Sequence, residues 1–175
     1  MHYHDITSDD MLNGSGLRVC LWCSGCEHHC NACQNPQTWD VTSGIEFKEG
    51  AMQELLDGLS LDYISGLTLT GGDPLHAQNL KKIYEICNTV KSNFPNKSIW
   101  IYTGYKWEDI WISTDCIYIE RKKILELCDV MVDGKFEKDK FDINYPWAGS
   151  TNQRVIDVKK SMERKQIVLW NGETT

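Results

Sequence analysis

Short apolar runs bounded by polar or glycine-containing segments alternate along the chain with stretches whose apolar residues recur every three or four positions. Leu17-Arg18-Val19-Cys20-Leu21-Trp22-Cys23 reads as a first strand, Ile64 to Thr70 as a second, Ile99 to Thr103 as a third and Cys128 to Val132 as a fourth. Between the second and third, Leu80, Ile83, Tyr84, Cys87, Val90 and Phe94 form the stripe of an amphipathic helix that ends before Pro95. Weaker helical patterns cover about Phe47 to Leu59 and Ile119 to Leu127, and Arg154 to Val158 reads as a late strand.

Strands alternating with helices imply an α/β fold with a parallel sheet built from right-handed crossovers. A closed eight-stranded barrel typically takes about 250 residues, with roughly 200 as a lower bound. A chain of 175 residues is too short to close one, so the expectation is an open, partial (β/α) barrel. Its concave side would lack some walls, leaving an opening that a macromolecule could cover.

The length and a hydrophobic content of 41% suit one buried core, and no repeat, low-complexity stretch or linker divides the chain, so residues 1–175 are expected to form a single domain. The net charge of -7 is mixed along the sequence rather than gathered into a basic face, which argues against a nucleic-acid surface. No segment approaches the roughly 18 apolar residues of a membrane span. Met1-His2-Tyr3-His4-Asp5 has neither the basic nor the apolar region of a signal peptide, so the expected location is the cytoplasm. Of eight cysteines, five fall from Cys20 to Cys33, and crowded thiols in a reducing compartment usually hold metal.

The cysteine pattern is most specific at Cys26-Glu27-His28-His29-Cys30-Asn31-Ala32-Cys33, a C-x3-C-x2-C triplet just past the first strand. Three thiolates can hold a [4Fe-4S] cubane and leave one iron without a protein ligand. The amino and carboxylate groups of S-adenosylmethionine could chelate that iron, and an electron from the reduced cluster could then cleave the sulfonium bond. Two other readings use the same thiols. Cys20, Cys23, Cys26 and Cys30 fit the C-x2-C-x2-C-x3-C spacing of a ferredoxin-type electron carrier, although Asn31 stands where that motif has proline. Against this reading, Cys20 and Cys23 sit an odd number of residues apart on a strand and should face opposite sides. A zinc module could use Cys26, Cys30 and Cys33 with His28 or His29, but the usual second ligand pair is missing. His28 and His29 read as residues of a polar loop, Cys87 and Cys128 as core fillers, and Cys116 has no pattern around it.

Other strand ends carry related signals. Thr70-Gly71-Gly72-Asp73-Pro74 offers glycines that admit a ligand close to the backbone and a carboxylate able to accept from an ammonium. Tyr102-Thr103-Gly104-Tyr105 follows the third strand and Asp133-Gly134-Lys135 the fourth. Each alone is only a loop. Ligands of parallel α/β folds lie at the carboxyl ends of strands, so Gly71, Gly72, Asp73, Thr103 and Asp133 are the candidate cofactor-binding residues.

With these motifs the sequence resembles the radical S-adenosylmethionine superfamily, and more narrowly the activating enzymes of anaerobic (class III) ribonucleoside-triphosphate reductase. The resemblance runs through Asn13-Gly14-Ser15-Gly16-Leu17-Arg18, Ser24-Gly25-Cys26, Cys33-Gln34-Asn35-Pro36-Gln37-Thr38-Trp39, Gly71-Gly72-Asp73-Pro74-Leu75, Asp133-Gly134-Lys135-Phe136 and Gly149-Ser150-Thr151-Asn152-Gln153-Arg154. It implies that Cys26, Cys30 and Cys33 ligate a [4Fe-4S] cluster and that Gly71, Gly72 and Asp73 bind the methionine moiety of S-adenosylmethionine. The superfamily usually has glutamate at Asp73 and an aromatic or apolar residue at Ala32, so the carboxylate's reach is shorter and a stacking partner for adenine is lost. The implied activity is reductive cleavage of S-adenosylmethionine, followed by abstraction of hydrogen from a glycine of the large reductase subunit to leave a glycyl radical. A flavodoxin-like or other low-potential donor would supply the electron. The alternatives are activation of another glycyl-radical enzyme, or a non-enzymatic electron carrier or zinc module. Asn152, Gln153 and Arg154 fit a partner surface, a place near the cofactor, or a turn before a strand.

Overall fold

A computed structural model describes residues 1–172. The chain runs through β1 (His2–Asp10), β2 (Leu17–Cys23), β3 (Ile45–Glu46), α1 (Glu49–Leu59), β4 (Ile64–Gly71), α2 (Leu80–Asn93), β5 (Ser98–Tyr102), α3 (Trp107–Ile112), α4 (Cys116–Leu125), β6 (Val130–Asp133), β7 (Arg154–Asp157) and α5 (Val158–Arg164). The strands form one open sheet in the order β3-β1-β2-β4-β5-β6-β7. Strands β2, β4, β5 and β6 are parallel, as expected from their intervening helices, but β1, β3 and β7 pair antiparallel. The wholly parallel sheet expected from the sequence is therefore corrected to a mixed α/β sheet, which does not close into a barrel.

Alternation sorts side chains between the faces of the sheet. Val19, Leu21 and Cys23 of β2, Leu67 and Leu69 of β4, and Ile99 and Ile101 of β5 join the main core with Leu55 and Leu59 of α1 and Ile83, Ile86 and Val90 of α2. Burying each such side chain contributes about 1.5–3 kcal/mol, so this layer fixes strand order and register. On α2 the stripe is shifted slightly from the expected one: Ile86 is buried whereas Tyr84 is 44% exposed, because the face centred on Ile83 and Cys87 is the one turned to the sheet.

The other face is smaller and more polar. Trp100, Val130 and Val132 pack with Tyr102, Trp147, Val155 and Trp170. Beside them the fully buried Arg18 directs all its guanidinium donors at neutral oxygens: Nε to Thr68 Oγ1 at 2.7 Å, Nη1 to Ser15 O and Ser98 Oγ, and Nη2 to Leu67 O and Ser98 O. Burial without a carboxylate lowers its pKa to about 10. Arg18 thus fastens the starts of β2, β4 and β5 together, at the ends opposite the strand tips that carry the cysteine and glycine motifs. No helix among the described residues is long and apolar enough to cross a membrane.

Candidate functional site

Parallel strands β2, β4, β5 and β6 end at Cys23, Gly71, Tyr102 and Asp133, so four loops meet at one edge of the sheet. They surround a cleft of about 630 Å³ lined by Cys26, Cys30, Cys33, Gly71, Asp73 and Thr103 among others. That volume is within the usual range for a site that takes a cofactor-sized molecule. The loop after β2 is tied to the loop after β4 by backbone hydrogen bonds: Gly72 N donates to Cys23 O, and Asp73 N to Gly25 O, both at 2.7 Å. Gly71 has φ +97°, and a Cβ there would lie 2.8 Å from the backbone N and O of Cys23. Only glycine gives this close crossing.

The thiols of the triplet are half-buried and face the same cleft. The turn that spaces them uses left-handed backbone at His29 (φ 48°) and Ala32 (φ 57°), with Cys33 N donating to Cys30 O at 3.1 Å. Asn35 N donates to Cys33 Sγ at 3.4 Å, and the main chain at His28 and Phe136 favours the thiolates of Cys26 and Cys30 against the effect of burial. Burial raises the Cys26 thiol to about 11 and also raises Cys30, while Lys135 opposes the rise at Cys30. N–H donors aimed at sulfur stabilise the thiolate form that ligates iron and tune a cluster once it is bound. Among the described residues no three His, Cys, Asp or Glu side chains are gathered closely enough to hold a single metal ion. Three cysteine thiols lining one cleft are the donor set of a cubane cluster, so the residues present fit that group.

Cys20 and Cys23 lie on opposite faces of β2. Cys23 is in the main core, whereas Cys20 faces Thr68 and Arg18, where burial pushes its thiol up to about 12. Neither lines the cleft. Cys87 and Cys128 are neighbours in the core, with the Cys128 thiol donating to Ile124 O at 3.3 Å, and Cys116 is exposed.

Asp73 is a buried hub. Its Oδ1 accepts from Leu75 N (2.8 Å) and Thr103 Oγ1 (3.0 Å), and its Oδ2 lies within reach of Thr103 Oγ1 (2.9 Å), Gly104 N (3.0 Å) and His28 Nε2 (2.7 Å). These contacts occupy the roughly four lone-pair positions of a carboxylate. The residues between Cys26 and Cys30 form a loop, as expected, with Glu27 and His29 exposed, but each side chain has a partner. Glu27 accepts from the Tyr105 hydroxyl, His28 meets Asp73, and His29 stacks on Trp39 with centroids 4.7 Å apart. Tyr105 is covered in turn by the Arg121 guanidinium, 3.8 Å from its ring centroid. Sequence reasoning missed Glu27, His28, Tyr105 and Arg121. The one signal available was Gly104: a Cβ there would fall 2.3 Å from the His28 ring.

Asp133 is also fully buried and is turned to Trp107 N (2.8 Å) and Arg154 Nε (2.9 Å), behind the cleft wall rather than in it. Gly72 likewise lies behind the wall, packed on the carbonyls of Gly25, Cys23 and Thr38. Gln153 receives Gly149 N and Ser150 N on Oε1 and donates to Gly134 O at 2.9 Å, while Asn152 donates to Lys135 O. Asn152 and Gln153 therefore anchor the Gly134–Ser150 loop, which forms the far wall, while Arg154 turns to Asp133 and Glu108. A second cavity of about 350 Å³ lies near the starts of β5 and β6, but its Lys91 and Lys159 are both paired with Asp129.

A family profile described as "4Fe-4S single cluster domain" matches residues 12–156. Three curated proteins, each named anaerobic ribonucleoside-triphosphate reductase-activating protein, are similar over most of their length. The protein from Enterobacteria phage T4 is 43% identical over 155 residues, covering 89% of this chain and 93% of that protein. The one from Pasteurella multocida (strain Pm70) is 39% identical, covering 87% and 95%. The one from Escherichia coli (strain K12) is 37% identical, covering 89% and 97%.

Proposed function

The chain belongs to the anaerobic ribonucleoside-triphosphate reductase-activating proteins, an iron-sulfur family, and we propose that it activates that reductase through S-adenosylmethionine bound at the Cys26/Cys30/Cys33 cleft. The observation that carries this reading is the convergence of the three thiols and the Gly71–Asp73 turn on one cleft at the parallel strand ends. Cys26, Cys30 and Cys33 would hold the [4Fe-4S] cluster. When bound, the cluster and S-adenosylmethionine supply the electron transfer and bond cleavage that let hydrogen be taken from a glycine of the large reductase subunit.

The protein's own residues bind and orient. Gly71 lets the cofactor approach the β4 backbone, Asp73 and Thr103 hold the turn beneath its methionine end, and Gly72 and Asp133 build the wall behind. The open sheet leaves the cleft mouth free for a protein segment, and a glycine suits the chemistry because no Cβ blocks approach to its α-hydrogen. A seated segment also excludes water from the reacting centre. We further assign residues 1–175 to one open, partial-barrel radical S-adenosylmethionine domain working in the cytoplasm with a flavodoxin-like or comparable low-potential donor.

The test is anaerobic reconstitution with iron and sulfide, followed by reduction with and without S-adenosylmethionine. A paramagnetic signal that changes with the cofactor, together with 5'-deoxyadenosine, is the expected result. A cluster indifferent to S-adenosylmethionine, or tight zinc without iron, overturns the reading in favour of a carrier or a zinc module.

A further inference from the structure

The proposed chemistry gives the thiols a role but none to the residues between them. His28 stands out there. Its side chain is 7% exposed, its Nε2 lies 2.7 Å from Asp73 Oδ2, and its ring meets the edge of Tyr105 at 4.6 Å between centroids. A carboxylate oxygen can only accept, so Nε2 is the donor. Asp73 in turn holds Leu75 N, Thr103 Oγ1 and Gly104 N. One buried carboxylate thus joins the cysteine loop to the loops after β4 and β5, spanning 45 residues of sequence on one side and about 30 on the other.

Space at this point is reserved for the imidazole. An added Cβ on Gly104 would lie 2.3–2.6 Å from three atoms of the His28 ring, and nothing in the backbone of Gly104 otherwise demands glycine. The Asp73 contacts already fill its lone pairs, so the carboxylate serves a ligand in the cleft by what it holds rather than by receiving an ammonium directly.

We propose that His28 is a positioning residue: by donating to Asp73 it sets the Cys26–Cys30 arm of the cysteine loop against the Gly71–Asp73 turn, and so fixes the distance between the cluster and the methionine end of S-adenosylmethionine. The inference rests on the S-adenosylmethionine reading above. The reacting groups belong to the cofactors; His28 acts on them through Asp73 and through its neighbours Cys26 and Cys30. Misplacement of reacting groups by even a fraction of their contact distance weakens a chelate geometry before it unfolds a protein.

The experiment compares wild type with His28→Ala, His28→Gln and Gly104→Ala, each reconstituted anaerobically. Iron per chain, thermal unfolding of the apoprotein, the electron paramagnetic resonance signal of the reduced cluster with and without S-adenosylmethionine, and the affinity for the cofactor are measured. His28→Ala and Gly104→Ala should assemble the cluster, yet bind S-adenosylmethionine at least tenfold more weakly with a diminished spectral change. His28→Gln, whose amide can reach the same acceptor, should recover most of both. Alanine variants that respond within twofold of wild type overturn the proposal, as does loss of the cluster itself in both of them, which would make the pair a mere brace for the loop. A glutamine variant no better than alanine overturns it too. A wild-type cluster that ignores S-adenosylmethionine overturns the parent reading and this inference with it, whereas a responsive wild type with indifferent variants overturns this inference alone.

Discussion

Arg154 forks between two carboxylates, donating from Nε to the fully buried Asp133 at 2.9 Å and from Nη1 and Nη2 to the two oxygens of the half-exposed Glu108 at 2.8 and 2.7 Å. Asp133 closes β6, Glu108 lies in the first turn of α3 and Arg154 opens β7, so this fork joins the last strands of the sheet to α3.

Arg154→Ala leaves Asp133 buried with Trp107 N as its remaining donor, and removing one member of such a pair costs about 3 kcal/mol. Urea unfolding of the apoprotein should show that loss. Arg154→Lys should recover less than half of it, since an ammonium cannot fork. A loss below about 1 kcal/mol would mean that Asp133 finds other partners.

Glu108 gives a pH dependence of known sign. Its bonds to Arg154 lower its pKa from 4.5 to about 2, so the unfolded chain binds more protons between those values than the folded one. Stability from this group is complete above the unfolded value and drains away as pH falls from 4.5 toward about 2. Because Glu108 is 45% exposed, the effect is screened and should stay under about 1 kcal/mol. Glu108→Gln should flatten this part of the acid limb, and added salt should shrink the difference. Equal slopes for the two proteins at low salt would contradict the assignment.

Cysteine substitutions should divide cleanly. Cys26→Ala, Cys30→Ala and Cys33→Ala each remove a thiol from the cleft and should abolish a full cluster, read as iron and sulfide per chain. Cys20→Ala, on the opposite face of β2 from Cys23, and Cys116→Ala, exposed and remote, should keep it. Iron lost with Cys20→Ala and retained with Cys33→Ala would point instead to the ferredoxin-type set.

Gly71→Ala tests the crossing of the two loops. Left-handed backbone and a Cβ 2.8 Å from the Cys23 main chain impose strain of order 1–3 kcal/mol, so thermal unfolding should fall by several degrees and cofactor affinity should drop with it. Unchanged unfolding would show that the two loops can move apart.

Much of the site edge was legible in the sequence because local chemistry wrote it: apolar runs announce β2, β4, β5 and β6, and the special residues follow each run directly. Helix α2 was readable almost residue by residue from its stripe. Strand β1 was not, since His2–Asp10 buries only Tyr3 and Ile6 and is otherwise polar, and its direction depends on pairing with β2. Helix α3 is too short to show a period, and the two-residue β3 too short to show alternation. The contact of His28 was not legible for a different reason: its partner is 45 residues away, and a polar side chain beside two cysteines gives no sign of whether it meets solvent or a buried carboxylate.

The most direct measurement supplies the reconstituted protein with S-adenosylmethionine, a low-potential reductant and large reductase subunit labelled with deuterated glycine, all without oxygen. Deuterium in the 5'-deoxyadenosine, together with a glycyl-radical signal on the reductase, is the result predicted by hydrogen abstraction at this cleft. Unlabelled 5'-deoxyadenosine and a reductase without a radical, formed while the cluster still responds to S-adenosylmethionine, would contradict it.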